Sequence, residues 1–325
     1  MKNSIKVVEI ESFGGPENMQ LVDKPVPVPG SGEVRVRLAA IGVNLIDTYH
    51  RTGLYPVPLP SGLGVEGAGE VEAVGAGVDL PLGTRVALTL ALGAYAEAIV
   101  LPATSLIPLP VSIGFEQAAA VLLKGMTVDY LFNDTFPLKG GETVLFHAAA
   151  GGVGLIACQW ARHVSVNLIG TASTDKKCAL AESHGARKCV LSGAQNLAET
   201  LKALAPDDGF PVVYDSVGKD TYNLGLEVLA PLGTFASFGN ASGAIEAVSP
   251  QDLAANGSLN FTRPTLATYM GIPGWMQQSS AKVLKLVEDG VLSVEINQRY
   301  GLEEVQRVHE DLEARATTGC SIITP

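Results

Sequence analysis

In the first part of the chain the apolar positions recur with a period of two. Val34, Val36 and Leu38 alternate with Arg35 and Arg37, which predicts a half-buried strand continued by the apolar run Ala39–Val43. Val65–Val74, Arg85–Leu90 and Tyr95–Val100 read as further strands, separated by the turn signals Gly75-Ala76-Gly77 and Pro81-Leu82-Gly83. Short strands at this spacing predict a partly open barrel. The rhythm changes after Pro110, where Phe115–Leu123 and Met126–Phe132 carry helical apolar spacing.

Strands and helices then alternate. Strands are predicted at Thr143–His147, Asn167–Thr171, Lys188–Leu191, Val212–Asp215 and Thr234–Phe238; helices at Val153–His163, Asp175–His184, Leu197–Ala205 and Thr221–Leu229. Such a series means βαβ units and a doubly wound parallel sheet, so the fold class is α/β. Helices near Ala281–Glu288 and Leu302–Arg315 close the chain, and the tail is expected to rejoin the β-rich part. The expected division is residues 1–122 with 261–325 for the β-rich domain and 123–260 for the parallel-sheet domain. A ligand cleft is expected beside the carboxyl ends of the parallel strands.

Composition narrows the class of partner. With 325 residues, 47 % of them hydrophobic and 17 % charged, the chain is long enough for two compact domains. Lys and Arg total 22 against 33 Asp and Glu, a net charge of −11 that argues against nucleic acid or anionic lipid as partner. The opening MKNSIKVVEI has no continuous apolar segment, and no apolar run reaches the roughly 18 residues of a membrane span, so neither a signal peptide nor a membrane partner is expected. Cys158, Cys178, Cys189 and Cys320 form no C-x-x-C pair and fit reduced thiols in a cytoplasmic protein.

The motif with the clearest chemistry is LFHAAAGGVGLIACQWA, Leu145–Ala161. Ala149, Gly151 and Gly154 occupy the spacings of the dinucleotide fingerprint G-x-G-x-x-G, with alanine in the first place, between a predicted strand and a predicted helix. Gly151 lets the backbone approach a pyrophosphate, Gly154 lets helix and strand pack closely, and the helix N-terminus offers N–H groups and partial positive charge. An NAD binder needs an acid at the end of the second strand. That strand here ends Leu168-Ile169-Gly170-Thr171-Ala172-Ser173 without one, while Ser173 with Lys176 or Lys177 can meet a 2′-phosphate. The expected cofactor is therefore NADPH.

Six segments together resemble the bacterial NADPH:quinone oxidoreductases, relatives of zeta-crystallin in the medium-chain dehydrogenase/reductase superfamily. They are AIGVNLIDTYHRTGLYP (from Ala40), GLGVEGAGEVEAVG (from Gly62), AAAGGVGLIACQWA (from Ala148), VVYDSVGKDT (from Val212), SFGNASG (from Ser237) and LEARATTG (from Leu312). The resemblance covers essentially the whole chain. It implies a GroES-like catalytic domain, a Rossmann cofactor domain, a homodimer and a quinone as acceptor. Zinc-dependent relatives carry G-H-E where this chain has Gly64-Val65-Glu66, and the early cysteine ligand is missing around Asn44 and Asp47, so no metal is expected.

Carried over residue by residue, the resemblance places Asn44, Asp47 and Tyr49 at the nicotinamide end, Tyr55 nearby, and Thr127 and Tyr130 on the opposite wall. It gives Gly151, Gly152 and Val153 the pyrophosphate, Ser173 and Lys177 the 2′-phosphate region, Phe238 and Ser242 the loop beside the nicotinamide ribose, and Ser216 a further contact to the cofactor. Arg315 resembles a C-terminal arginine that reaches the cofactor, and Ser192 stands where relatives have a tyrosine, which puts a contact to the adenosine phosphate in question. From residue type alone, Tyr49 and Tyr55 fit packing, Asn44 a turn, Asp47 a helix cap and Arg315 a helix-end charge equally well. Two rival functions stay open: reduction of α,β-unsaturated carbonyl compounds, and an NADPH-responsive binding protein without turnover.

Overall fold

The structure is a computed structural model that describes residues 3–325. The first elements are the strands β1 (Ser4–Ile10), β2 (Gln20–Pro25) and β3 (Glu33–Gly42), the helix α1 (Leu45–Thr52), and the strands β4 (Ser61–Gly62), β5 (Glu66–Val74), β6 (Arg85–Thr89), β7 (Ala98–Pro102) and β8 (Ile107–Pro108). α2 (Phe115–Asp129) follows and runs into a π-helical turn at Tyr130–Thr135. The alternating series comprises β9 (Thr143–Phe146), α3 (Gly152–His163), β10 (Asn167–Ala172), α4 (Asp175–Ser183), β11 (Lys188–Leu191), α5 (Leu197–Leu204), β12 (Phe210–Asp215), α6 (Tyr222–Val228) and β13 (Leu229–Ser237). The remainder is α7 (Pro250–Ala255), β14 (Asn260–Thr262), α8 (Leu266–Met270), α9 (Trp275–Glu288), β15 (Ile296–Gly301), α10 (Val305–Glu313) and β16 (Cys320–Thr324).

Two compact units result. The first runs to Leu123 and resumes at Ser280–Glu288 and Val294–Pro325; the second comprises Lys124–Ser279 and Asp289–Ser293. The expected return to the first unit at residue 261 is therefore too early. β14 pairs parallel with β13, Phe235 opposite Phe261, so the chain completes the second unit's sheet before it leaves.

The first unit holds a sheet in the order β15-β16-β3-β5-β6-β8, with β7 also on β3, and a smaller sheet β2-β1-β4. The alternation read in β3 is realised. Val34, Val36 and Leu38 are buried, while Arg35 and Arg37 face outward and pair across the strand with Glu72 and Glu70, both at 2.6 Å. Burying three aliphatic side chains contributes about 1.5–3 kcal/mol each, against about 1 kcal/mol or less for each ion pair on the outer face, so packing on the inner face decides the register. Tyr95 does not begin a strand as expected. It sits fully buried in a turn, its N–H bonded to Leu63 O at 2.8 Å.

The second unit is one parallel sheet in the order β11-β10-β9-β12-β13-β14, the doubly wound Rossmann order. Its core includes Leu145, Ile169, Val213 and Phe235. The short return Asp289–Ser293 is fastened to α3 by Gln159, whose amide oxygen accepts from Ser293 N–H at 2.7 Å and whose amide nitrogen donates to Ser293 O at 3.0 Å. All four cysteines are free and buried. Among the described residues no helix is long and apolar enough to cross a membrane.

Candidate functional site

The dinucleotide turn lies where the sequence puts it, between β9 and α3. Gly151 is the residue before the helix, extended at φ −77° and ψ 170°, and the first intrahelical bond runs from Leu155 N–H to Gly151 O at 2.9 Å. By α-helical geometry the N–H groups of Gly152, Val153 and Gly154 then have no intrahelical acceptor and are directed out of the helix end. A Cβ on Gly154 would come within 2.5 Å of Ala148 O and 2.6 Å of Ala149, so only glycine allows this close approach. Alanine is tolerated at position 149 because the facing residue is Gly170, where an added Cβ would lie 2.6 Å from the Ala149 methyl. Ala148 itself adopts φ +56°, a left-handed backbone that costs an alanine on the order of 1 kcal/mol. The strand, the strained turn and the free helix end fit a pyrophosphate.

Residues expected to read the adenosine end collect at the carboxyl ends of β10 and β11. Ser192 N–H bonds Ala172 O at 2.8 Å, which sets Ser192 beside Ser173, and both are exposed. Asp175 lies in the first turn of α4, where Thr174 caps the helix by accepting from Lys177 N–H at 3.2 Å. No carboxylate ends β10, and the donor set fits a 2′-phosphate.

The residues expected beside the nicotinamide ribose lie on loops that bond to one another. Ser216 O accepts from Ala241 N–H at 3.1 Å, and Phe238 packs on Phe146 with ring centroids 5.6 Å apart. The Ser242 hydroxyl donates to Val217 O at 2.9 Å and accepts from Asp220 N–H at 3.0 Å, so it locks one loop to the other. Thr127 and Tyr130 are buried, and Tyr130 stacks on Tyr269 at 4.7 Å and 10°. Tyr130 opens the π-helical turn, an irregularity often found at functional sites. His147, missed in the sequence, is fully buried at the foot of the dinucleotide turn, its Nδ1 2.9 Å from Thr171 Oγ1; burial lowers its pKa.

In the first unit, Asn44 and Asp47 start α1. Asp47 is fully buried, and its Oδ2 accepts from Asn44 N–H at 2.8 Å and from the Tyr95 hydroxyl at 2.9 Å. Asp47 is thus a cap and anchor beneath the helix, the role that its residue type alone already allows. The Asn44 amide donates to Glu66 Oε2 at 2.9 Å, and Glu66 Oε1 accepts from Leu123 N–H at 2.8 Å. Tyr49 and Tyr55 are half-buried and meet edge-to-face at 5.3 Å, so the structure brings these two together. Arg315 is exposed at φ +56°, two residues beyond α10 rather than within the expected helix.

Four residues of this cluster escaped the sequence reading: Glu66, Tyr95, Arg51 and His309. Arg51 is buried and ion-paired to Glu313. Burial, reinforced by the charge on Asp47, raises the Tyr95 pKa well above its usual value; burial and the Arg51 charge hold His309 down at about 3. No local motif marks them, since each partner lies far along the chain.

A zinc centre does not fit these residues. Val65 is buried and apolar, both oxygens of Glu66 are engaged, and among the described residues no group of three His, Cys, Asp or Glu side chains could hold a metal ion.

Residues 30–111 match the family described as alcohol dehydrogenase GroES-like domain, and residues 152–286 that described as zinc-binding dehydrogenase. The chain is 51 % identical to a quinone oxidoreductase of Pseudomonas aeruginosa, over 98 % of this chain and 99 % of that one. The crystal structure of Escherichia coli quinone oxidoreductase complexed with NADPH superimposes with a TM-score of 0.96 at 45 % identity, covering 98 % of this chain and 100 % of that one. A 2-haloacrylate reductase of a Burkholderia species is 39 % identical over 97 % of this chain and 98 % of its own length.

Proposed function

The chain belongs to the quinone oxidoreductase family, and from that premise we propose how its two units divide an NADPH-dependent reduction of quinones. The second unit holds the cofactor: Gly151, Gly152 and Val153 take the pyrophosphate on the N-terminus of α3, and Ser173 with Lys177 meets the 2′-phosphate. When bound, NADPH supplies the hydride. The first unit serves the acceptor. Asn44 and Tyr49 donate hydrogen bonds to the quinone oxygen on which charge grows, Tyr55 supports Tyr49, and Arg315 neutralises charge on the cofactor. Quinone oxyanions are stabilised by their own ring, so solvent can deliver the proton and no strong acid is needed.

The observation that carries this reading is the glycine-lined turn ending β9, held in a full-length match to quinone oxidoreductases. The test is oxidation of NADPH followed by absorbance across short-chain quinones and enones. Turnover with quinones and weak turnover with NADH is the expected result. NADPH binding without any turnover would leave a binding protein. The similarity to a 2-haloacrylate reductase favours one second reading, hydride delivery to a conjugated carbon–carbon double bond, and faster turnover of enones than of quinones would establish it.

The assembly we propose is a homodimer. Among the described residues β14 is one edge of the parallel sheet, which a second copy can extend. Sedimentation at the mass of a single chain would refute it. Four buried free thiols suit a reducing compartment such as the cytoplasm.

A further inference from the structure

The cluster beneath α1 is larger than a helix cap requires. The capping box of Asn44 and Asp47 serves the N-terminus of α1, yet the Asp47 carboxylate also receives the hydroxyl of Tyr95, and that hydroxyl lies 3.2 Å from His309 Nε2 on α10. A carboxylate oxygen only accepts, so the Tyr95 proton goes to Asp47 and the Tyr95 oxygen accepts the N–H on His309 Nε2. The direction of every bond in the chain from α10 to α1 is thereby set. The two rings also meet edge-to-face, 5.8 Å apart at 81°.

The same two helices are tied a second time. Arg51, in the last turn of α1, pairs with Glu313, the last residue of α10. Arg315 follows two residues later in a left-handed backbone, so the end of α10 governs where it starts. Asn44, at the head of α1, is held from its other side by Glu66.

Burying a Tyr–His–Asp chain costs desolvation that Phe and Leu in the same places would avoid, and buried polar networks of this kind specify one arrangement rather than add stability. We infer that Tyr95 and His309 are positioning residues for hydride transfer: acting through Asp47, they hold Asn44 and Tyr49 in fixed register with α10 and Arg315. The inference rests on the roles proposed above for Asn44, Tyr49 and Arg315.

The test compares Tyr95→Phe, which removes only the hydroxyl, with His309→Leu and His309→Gln, the last of which restores a donor. Tyr95→Phe and His309→Leu are expected to lower kcat with a quinone by about tenfold well below their melting temperatures, the scale of one hydrogen bond misplaced in the transition state. NADPH affinity by fluorescence should stay within about threefold, because the pyrophosphate is held by backbone elsewhere, and His309→Gln should regain most of the lost kcat. A merely structural role would lower the melting temperature and leave kcat intact in the cold. Folded Tyr95→Phe and His309→Leu enzymes with unchanged kcat would overturn the inference alone. A wild-type protein that binds NADPH but reduces no quinone would overturn the functional reading and the inference with it.

Discussion

The two units build their polar sites from different materials. In the second unit the site is backbone: N–H groups at the head of α3, a left-handed Ala148, and close contacts that only Gly154 and Gly170 allow. In the first unit it is side chain, with Asp47, Tyr95 and His309 joined across separations of 48 and 214 residues and Arg51 joined to Glu313 across 262. A backbone site is made by neighbours in sequence and fails when one atom is added. A side-chain site is made by distant residues and fails when one atom is removed. The contrast sets where each unit is fragile.

The sharpest way to break the comparison is to add atoms to the turn. Gly154→Val should raise the NADPH dissociation constant by up to about 100-fold, since overpacking of this kind costs up to about 3 kcal/mol, while far-ultraviolet circular dichroism stays native. Near-normal binding would mean that the turn can yield and that the backbone does not define the site.

Acidification probes the side-chain site. His309 and His50, both in the first unit, have pKa values lowered by burial, so the unfolded chain takes up protons that the folded chain does not. Their contribution to stability is complete above the unfolded value near 6.5 and is lost as pH falls, for His309 down to about 3. Within its window the buried His309 adds a slope of about 1.4 kcal/mol per pH unit. Melts of His309→Gln should therefore show a shallower loss between those limits than wild type; parallel curves would deny His309 this part.

Smaller effects separate the roles proposed for single groups. Tyr49→Phe should lower turnover by about tenfold or less, the loss of one neutral donor, and a fall of many orders of magnitude would make Tyr49 an obligatory acid. Lys177→Ala should weaken NADPH binding by about fivefold with no change for NADH, an effect that shrinks in high salt. Equal weakening of both cofactors would remove Lys177 from the 2′-phosphate.

The same contrast explains what could be read from the sequence. β11 (Lys188–Leu191) was delimited to the residue, and most of the alternating series to within one or two, because each element is local and strongly periodic. The dinucleotide turn was legible for the same reason, and even its substituted alanine has a local answer in Gly170. Tyr95 was assigned to a strand because apolar neighbours mask a turn, and the chain's departure from the second unit was placed too early because β14 is only Asn260–Thr262. The cap role of Asp47 is legible from its residue type, but its partner Tyr95 is invisible without the fold. Glu66 follows Val65 at the start of β5, and nothing local marks it as the partner of Asn44 and Leu123.

The discontinuity of the first unit bears on how the enzyme is made. Val43, the residue before Asn44, bonds its N–H to Ser321 O at 3.1 Å, and Gly42 pairs with Ile322 of β16. A chain leaving the ribosome has already delivered every strand of the parallel sheet when β16 is still to be synthesised. The dinucleotide turn can therefore close on a nascent chain, whereas the head of α1 is settled only after translation has passed β16. Such a chain would hold its reductant before it could spend it.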